Sequence, residues 1–319
     1  MNIARALSVV VGSIGASLAL AQSYPVKPVK VLHGFAPGGA PDTVLRRIAT
    51  KLEEQLGQPI VVENRPGASG TIAALAVARA EADGYTLLFG VAANLAVAPA
   101  AMAKPPYDAV TAFAPIVEVA RGPYLWLVRA DAPAANMAAF IAWARDKPGA
   151  LNYASAGPGS VHHFPGKLLK QAARIDMIHV PYKAGLYAAL LGGEVHAMFE
   201  SRPAPIPHLA SGKLRALGVT GAKRLTALPD VPTLAEQGVH GLDVNSWWGF
   251  VGPAGMRAAT IARLNAEVRR ALDDAEIKST LAKWSIEATP GSPEAFGAYI
   301  KDEATRWKEI VARTGIRAE

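Results

Sequence analysis

The stretch Val29-Lys30-Val31-Leu32-His33-Gly34-Phe35-Ala36-Pro37-Gly38-Gly39, running straight into Ala40 to Leu56, most constrains what this chain can become. Val29 to Phe35 is apolar and branched, as strands are. Pro37-Gly38-Gly39 is turn punctuation, and Leu45, Ile48, Leu52 and Leu56 recur at helical spacing. The order is therefore strand, glycine turn, helix. The first N–H groups of such a helix have no intrahelical acceptor, and the aligned peptide dipoles add partial positive charge there. An anion is the natural ligand of that end, and glycines let it approach the backbone.

The unit occurs twice. Leu151 to Ser155 reads as a strand, Ala156-Gly157-Pro158-Gly159-Ser160 as a glycine turn, and Val161 to Ala173 as a helix. Ligands of open α/β sheets lie beyond the carboxyl ends of the strands, against helix N-termini. Two such ends in two domains can face each other across a cleft.

Strand and helix patterns alternate through the rest of the chain, which predicts a mostly parallel sheet flanked by helices in each domain. Pro59 to Glu63 and Tyr85 to Phe89 are strands, with a helix over Thr71 to Ala82 between them. Ala112 to Ala120 and Tyr124 to Val128 are two further strands around Gly122-Pro123, where the chain is expected to cross between domains. Asn136 caps a helix over Met137 to Arg145. Met177 to Val180, Val195 to Glu200 and Leu214 to Thr220 continue the strands of the second domain. Thr233-Leu234-Ala235-Glu236 spells a capping box, predicting a helix that ends by Gly238. Ser246 to Gly252 reads as a strand returning to the first domain, with Trp247 and Trp248 on opposite faces, one filling core and the other reaching the cleft. The C-terminal third is helical, with Ser292 before Pro293 as a helix start. The boundaries are 1–21 for a leader, 22–123 with 247–319 for the first domain, and 124–246 for the second.

Composition narrows the functions. With 51% apolar residues in 319, a packed core is assured. Met1 to Ala21 has the charged start (Arg5), short apolar segment and small-residue ending of a secretory leader, with cleavage expected after Ala21. The absence of cysteine removes disulfides, thiolate catalysis and Cys-ligated metals together. The net charge of +7 is spread without a Lys/Arg block, which suits small anions and predicts no nucleic-acid partner.

Chemical motifs are few. Tyr153-Ala154-Ser155-Ala156-Gly157 has tyrosine where a nucleophile elbow needs its first glycine. His162-His163 is an adjacent pair whose side chains diverge, and no H-E-x-x-H occurs, so neither a metal nor a cofactor is expected. Gly34 to Gly39 lacks the Gly-Lys-Ser/Thr ending of a phosphate loop. His33, His179, His196, His208 and His240 are isolated. Lys183 is either a cleft cation or a solvated strand-end lysine. An enzyme reading, a periplasmic hydrolase or isomerase using Ser160 with His163 or Glu200, has no evident base–orienter pair.

From Tyr24 onward the chain resembles the tripartite tricarboxylate transporter substrate-binding proteins, or Bug-type periplasmic receptors. The resemblance rests on Phe35-Ala36-Pro37-Gly38-Gly39, Val62-Glu63-Asn64-Arg65-Pro66-Gly67-Ala68, Asp83-Gly84-Tyr85-Thr86-Leu87-Leu88, His179-Val180-Pro181-Tyr182-Lys183, Gly212-Lys213-Leu214-Arg215-Ala216-Leu217 and Leu228-Pro229-Asp230-Val231-Pro232-Thr233, in order. It implies a two-domain α/β clamshell of the type II-like periplasmic binding protein kind. Such a protein is a periplasmic, non-enzymatic, monomeric receptor that passes a small carboxylate (a dicarboxylate, amino acid or aromatic acid) to membrane transporter subunits. A sensor docking on a signalling partner would use the same clamshell. By position, the resemblance implies ligand contacts from Phe35, Pro37, Gly38, Gly39, Asn94, Gly159, Ser160, His163, Tyr182 and Glu200. The chain departs from the family habit at Val91-Ala92-Ala93, which lacks hydroxyls, at His162 for serine, at Glu200 for aspartate and at Ala184 for glycine. The run from Lys183 to Gly192-Gly193 is about two residues shorter. These departures change the polarity of the pocket.

Overall fold

A computed structural model describes residues 24–157, 160–182, 185–201, 204–284 and 286–317. The expected leader with its cleavage after Ala21, and Gly159, Lys183 and Ala184, lie outside them. The protein is an α/β fold whose strands form one mixed sheet with helices on both sides. In chain order the strands are β1 (Val29–His33), β2 (Ile60–Asn64), β3 (Thr86–Val91), β4 (Phe113–Arg129), β5 (Asn152–Ser155), β6 (Ile178–Pro181), β7 (Ala197–Ser201), β8 (Leu214–Val219), β9 (Asn245–Pro253) and β10 (Glu287–Ala288). Their spatial order is β2-β1-β3-β9-β4-β7-β5-β6, with β8 and β10 also paired to β4.

The strand and the helix of both units form. In the first, β1 pairs parallel with β2 and β3, and helix α1 (Ala40–Leu56) packs Leu45, Ile48 and Leu52 into the core. The second has β5 parallel with β6 and β7. The helices there are α4 (Met137–Asp146), whose cap Asn136 accepts from Ala139 N–H as its spelling predicts, and α5 (His163–Ala173). Among the named strands, parallel pairing occurs within these two groups. The strands between them, β4 and β9, run antiparallel to their neighbours and give the sheet its mixed character.

The sequence reading of two strands around Gly122-Pro123 is corrected. They are one strand of 17 residues, β4. A proline interrupts a ladder only where its missing N–H is needed, and at this point β4 changes partners. Phe113 to Pro123 pairs with β9, whereas Tyr124 to Arg129 pairs with β7 and β8. The two expected crossings meet each other, since Gly122 pairs with Ser246 and Pro123 with Asn245.

The Thr233 capping box also needs correction. Its reciprocal bonds form, Thr233 N–H to Glu236 Oε2 at 2.6 Å and Glu236 N–H to Thr233 Oγ1 at 3.0 Å, yet the segment remains a turn. Arg224 draws the same carboxylate outward at 2.9 Å, and Gly238 turns the chain at φ +77° before a second helical turn can close. Helix α2 is Thr71–Ala78, ending earlier than its alanine-rich pattern.

Trp247 and Trp248 do face opposite sides of β9, and both are buried, in different hydrophobic clusters. Trp247 donates to Glu303 Oε2 at 3.1 Å, as does Trp307 at 3.2 Å, so this buried carboxylate ties α10 (Pro293–Thr314) to β9. Close contact there requires Gly249, where an added Cβ would lie 2.4 Å from the Phe296 ring and 2.6 Å from Val117 O. Replacing Gly249 by alanine should cost about 1–3 kcal/mol by overpacking. The reading is the urea midpoint, and an unchanged midpoint would show that α10 does not press on β9 in this way.

Candidate ligand-binding cleft

At the end of β1 the chain turns through Gly34 to Gly39. Gly34 is required by close approach, because a Cβ there would meet Gly70 Cα at 2.6 Å. Gly38 adopts φ +88°, a left-handed conformation open to glycine. The turn is held by Asp42, three residues into α1. Its Oδ2 accepts from Gly38 N–H at 3.0 Å and from Arg46 Nε at 2.9 Å, and its Oδ1 accepts from Asn64 Nδ2 at 2.9 Å. Asn64 Nδ2 also reaches Phe35 O at 2.9 Å, and Arg46 reaches Asn64 Oδ1 at 2.8 Å. Burial alone would raise the Asp42 pKa. The Arg46 guanidinium, the Gly38 N–H and the Asn64 amide outweigh it and hold the carboxyl below its usual range.

The chain's own carboxylate thus claims one donor of the turn. The next donors, the N–H groups of Gly39 and Ala40, precede the first helical bond, Thr43 N–H to Gly39 O at 2.9 Å, and so have no intrahelical acceptor. Pro41 contributes no N–H. With the Asp42 N–H, which also precedes Thr43, three N–H groups at the positive end of α1 have no intrahelical acceptor.

Gly39 and Ala40 border a cavity of about 350 Å³. One side is made by Phe35 and the end of β3, Val91 to Ala93; the other by Val161, His162 and the end of β7, Glu200 and Ser201. Tyr124, Ser246 and Trp248, from the crossing strands, close its base. His162 Nε2 lies 3.3 Å from Glu200 Oε1, which also accepts from Ser201 N–H at 2.8 Å. Burial opposes the charged imidazole, but the charge and hydrogen bond of Glu200 prevail and hold the His162 pKa above its usual value. The other ring nitrogen, Nδ1, is buried without a hydrogen-bond partner.

Of the residues expected to meet a ligand, Phe35, Gly38, Gly39 and Glu200 border the cavity. Gly159 lies outside the described residues. Pro37, Asn94, Ser160, His163 and Tyr182 are not among its lining residues. Asn94 is wholly buried: its Oδ1 accepts from Val91 N–H at 2.9 Å, and its carbonyl accepts from Tyr107 at 2.5 Å. It shapes the loop after β3. Ser160 lies in the turn before α5, its Oγ accepting from His163 N–H at 3.3 Å. His163 stacks on His179 at 3.8 Å, and burial, with His179 and two lysines nearby, lowers its pKa to about 4. Tyr182 donates to Glu194 at 3.2 Å. Sequence reading marked His162 as a departure but did not foresee its place in the wall. Nor did it foresee Tyr124, Ser201 or Ser246, because no local pattern marks residues that converge from three strands.

The one serine–imidazole contact in this region is Ser155 Oγ to His179 Nε2 at 2.5 Å. Ser155 is fully buried, and its hydroxyl also donates to Gly157 O at 3.1 Å, so it braces the turn. Among the described residues no cluster of three metal-ligating side chains occurs. A larger opening of about 770 Å³ lies beside Pro123 and Asn245, lined by 221–227 and the segment before β10. Two of its cations are already paired, Arg121 with Glu118 and Arg224 with Glu236, and no carboxyl ends of parallel strands converge on it.

The sequence matches the model of the tripartite tricarboxylate transporter family receptor over residues 44–316. It is 34% identical to the protein BugT of Bordetella pertussis over 326 aligned positions, covering 99% of each chain. Among solved structures, a protein from R. palustris in complex with adipate superposes with a TM-score of 0.85 at 34% identity, covering 92% of this chain and 99% of that one. The periplasmic binding protein BugD superposes with a TM-score of 0.83 at 32% identity, covering 93% and 100%.

The lock on the first turn makes a prediction about acid. A carboxyl whose folded pKa lies below its ordinary 3.8 stabilises the fold above that value and loses the contribution as pH falls through the folded pKa. Asp42→Asn should cost about 1–3 kcal/mol at neutral pH and flatten the loss of stability below pH ~4. Urea midpoints across that range decide it; parallel curves for the two proteins would remove Asp42 from the account.

Proposed function

The chain belongs to the tripartite tricarboxylate transporter receptor family, and from that premise we propose that it is an extracytoplasmic receptor that captures a small carboxylated solute and delivers it to a membrane transporter. The observation that carries this reading is that the start of α1, Gly38 to Pro41, and the His162–Glu200 wall border one 350 Å³ cavity. A cleft with an apolar body and a few polar groups is what a small-molecule site requires. A carboxylate placed on Gly39 and Ala40 receives charge-assisted hydrogen bonds and the helix dipole, the latter contributing about 0.3–2 kcal/mol according to burial.

The two halves of the sheet are read as two domains, 22–123 with 247–319 and 124–246, hinged where Gly122 and Pro123 pair with Ser246 and Asn245. Rotation about this pair would close the cavity on its ligand. The adipate complex of the R. palustris relative supports carboxylate capture. The leader-like start, together with relatives such as the periplasmic BugD, supports export to the periplasm. Among the described residues no helix is long and apolar enough to cross a membrane.

The test is a thermal-shift screen of the chain from Gln22 onward against mono-, di- and tricarboxylates, with product analysis of each hit. A ligand that binds the folded state alone raises the melting temperature by mass action. Stabilisation by an acid recovered unchanged is the expected outcome, whereas turnover of the acid would replace the receptor by an enzyme. Gly39→Val sharpens the test. Gly39 has φ −69° and an added Cβ meets nothing nearer than Pro41 Cδ at 3.8 Å, so the fold should tolerate the change. The carboxylate-induced shift should nonetheless vanish, and a retained shift would refute the backbone-donor site. Small-angle scattering should show compaction at saturating ligand; identical profiles would refute closure.

A further inference from the structure

The crossing strands separate two hollows. Successive residues of a strand face opposite ways, and residues paired directly across antiparallel strands face the same way. Pro123 pairs with Asn245, Gly122 with Ser246 and Ala120 with Trp248. Tyr124, Ser246 and Trp248 therefore share one face, which floors the 350 Å³ cavity. Arg121, Pro123 and Asn245 share the other, and all of them line the opening of about 770 Å³. That opening lies behind the hinge.

Its walls belong to different halves of the sheet. One wall is 221–227. There Arg224 donates to Glu236 Oε2 at 2.9 Å and to Pro229 O at 3.1 Å, and Leu225 lies in one hydrophobic cluster with Leu125 and Leu127 of β4. Just ahead of it Thr220 donates its N–H to Tyr124 O at 2.9 Å, while its Oγ1 accepts from Tyr124 N–H at 2.9 Å and donates to Val244 O at 2.6 Å. This wall is thus fixed to the second half. The other wall is Ala282, Ile286 and Glu287. Glu287 pairs with Arg121 on the first stretch of β4, and Ile286 lies in one cluster with Val117 and Leu281. This wall is fixed to the first half. What the walls share is the hinge itself, Gly122, Pro123 and Asn245.

A hinge placed between two hollows couples them. Rotation that narrows the front cavity widens the rear opening, and the reverse rotation narrows it. Bulk that holds the rear walls apart therefore disfavours the open front, although the crossing strands separate it from any solute. A solute held by the closed form binds with an affinity scaled by the fraction of free protein already closed.

We infer that the rear opening is an affinity-setting lever: the space between 221–227 and the Ala282, Ile286 and Glu287 wall sets the balance of open and closed forms, and filling it tightens solute capture at the front. The inference rests on the reading of the chain as a hinged receptor and adds a control point on the face remote from the solute. By linkage, whatever fills the rear opening binds the loaded receptor better than the empty one.

Ala227 and Ala282 line opposite walls and are exposed, so an indole at either adds bulk to the opening without entering a core. Because the chain has no cysteine, Ala36→Cys and Ala204→Cys carry one spin label on each rim of the front cavity, both at exposed positions. In the ligand-free protein, Ala227→Trp or Ala282→Trp should move the label distances, read by double electron–electron resonance, to shorter values. Isothermal titration of the unlabelled variants uses the acid that gives the largest shift in the thermal screen. At least one variant should bind it about threefold tighter or more, a gain that misfolding does not produce. Unchanged or weaker binding by both variants overturns the lever and leaves the receptor standing, since the unmodified protein still binds. If no acid binds the unmodified protein, the receptor reading falls and the label distances alone decide the lever, superimposable distributions overturning it.

Discussion

The ladder between β4 and β9 is the constraint from which the rest of the architecture follows. Buried backbone groups must be hydrogen-bonded, and these two strands satisfy one another from Phe113–Pro253 to Pro123–Asn245. Because β4 then continues to Arg129 with new partners, one strand belongs to both parallel groups. The groups are thereby set so that the ends of β1 and β3 open into the same gap as the ends of β7 and the β5 turn. The cavity is what remains between them, floored by the side chains Tyr124, Ser246 and Trp248 of the ladder itself.

Within that frame, charge is placed with economy. Asp42 takes the Gly38 N–H, just ahead of α1, to lock the turn and anchors it to β2 through Asn64. Glu303 does comparable work on the outer side, where two indole N–H groups fix a helix on β9. At the cavity's far wall, Glu200 is held by Ser201 N–H and by His162. Each carboxylate is stabilised by donors from another element, so each joins two parts of the chain.

Much of this was legible locally. The first glycine turn, the capping of α4 by Asn136 and of α10 by Ser292, and the opposite faces of Trp247 and Trp248 follow from period and cap chemistry that act within a few residues. The reading went astray where a distant partner decides. Gly122-Pro123 looked like a break, but a neighbouring strand carries the ladder across it. The Thr233 box looked like a helix start, but Arg224 takes hold of its glutamate.

The alternating α/β class, the two strand-to-helix units, the lack of thiol chemistry and the family could all be read from the chain alone, since they are written in contiguous residues or in composition. It took the folded molecule to show that Asp42 holds the turn before α1, that His162 stands against Glu200, and that the starts of α1 and α5 border one cavity. The reason is that polarity at a site is a sum over side chains brought within a few ångströms from β1, β3, β5, β7 and the crossing strands. Residues that contribute to such a sum lie tens to hundreds of positions apart and leave no common mark on the chain.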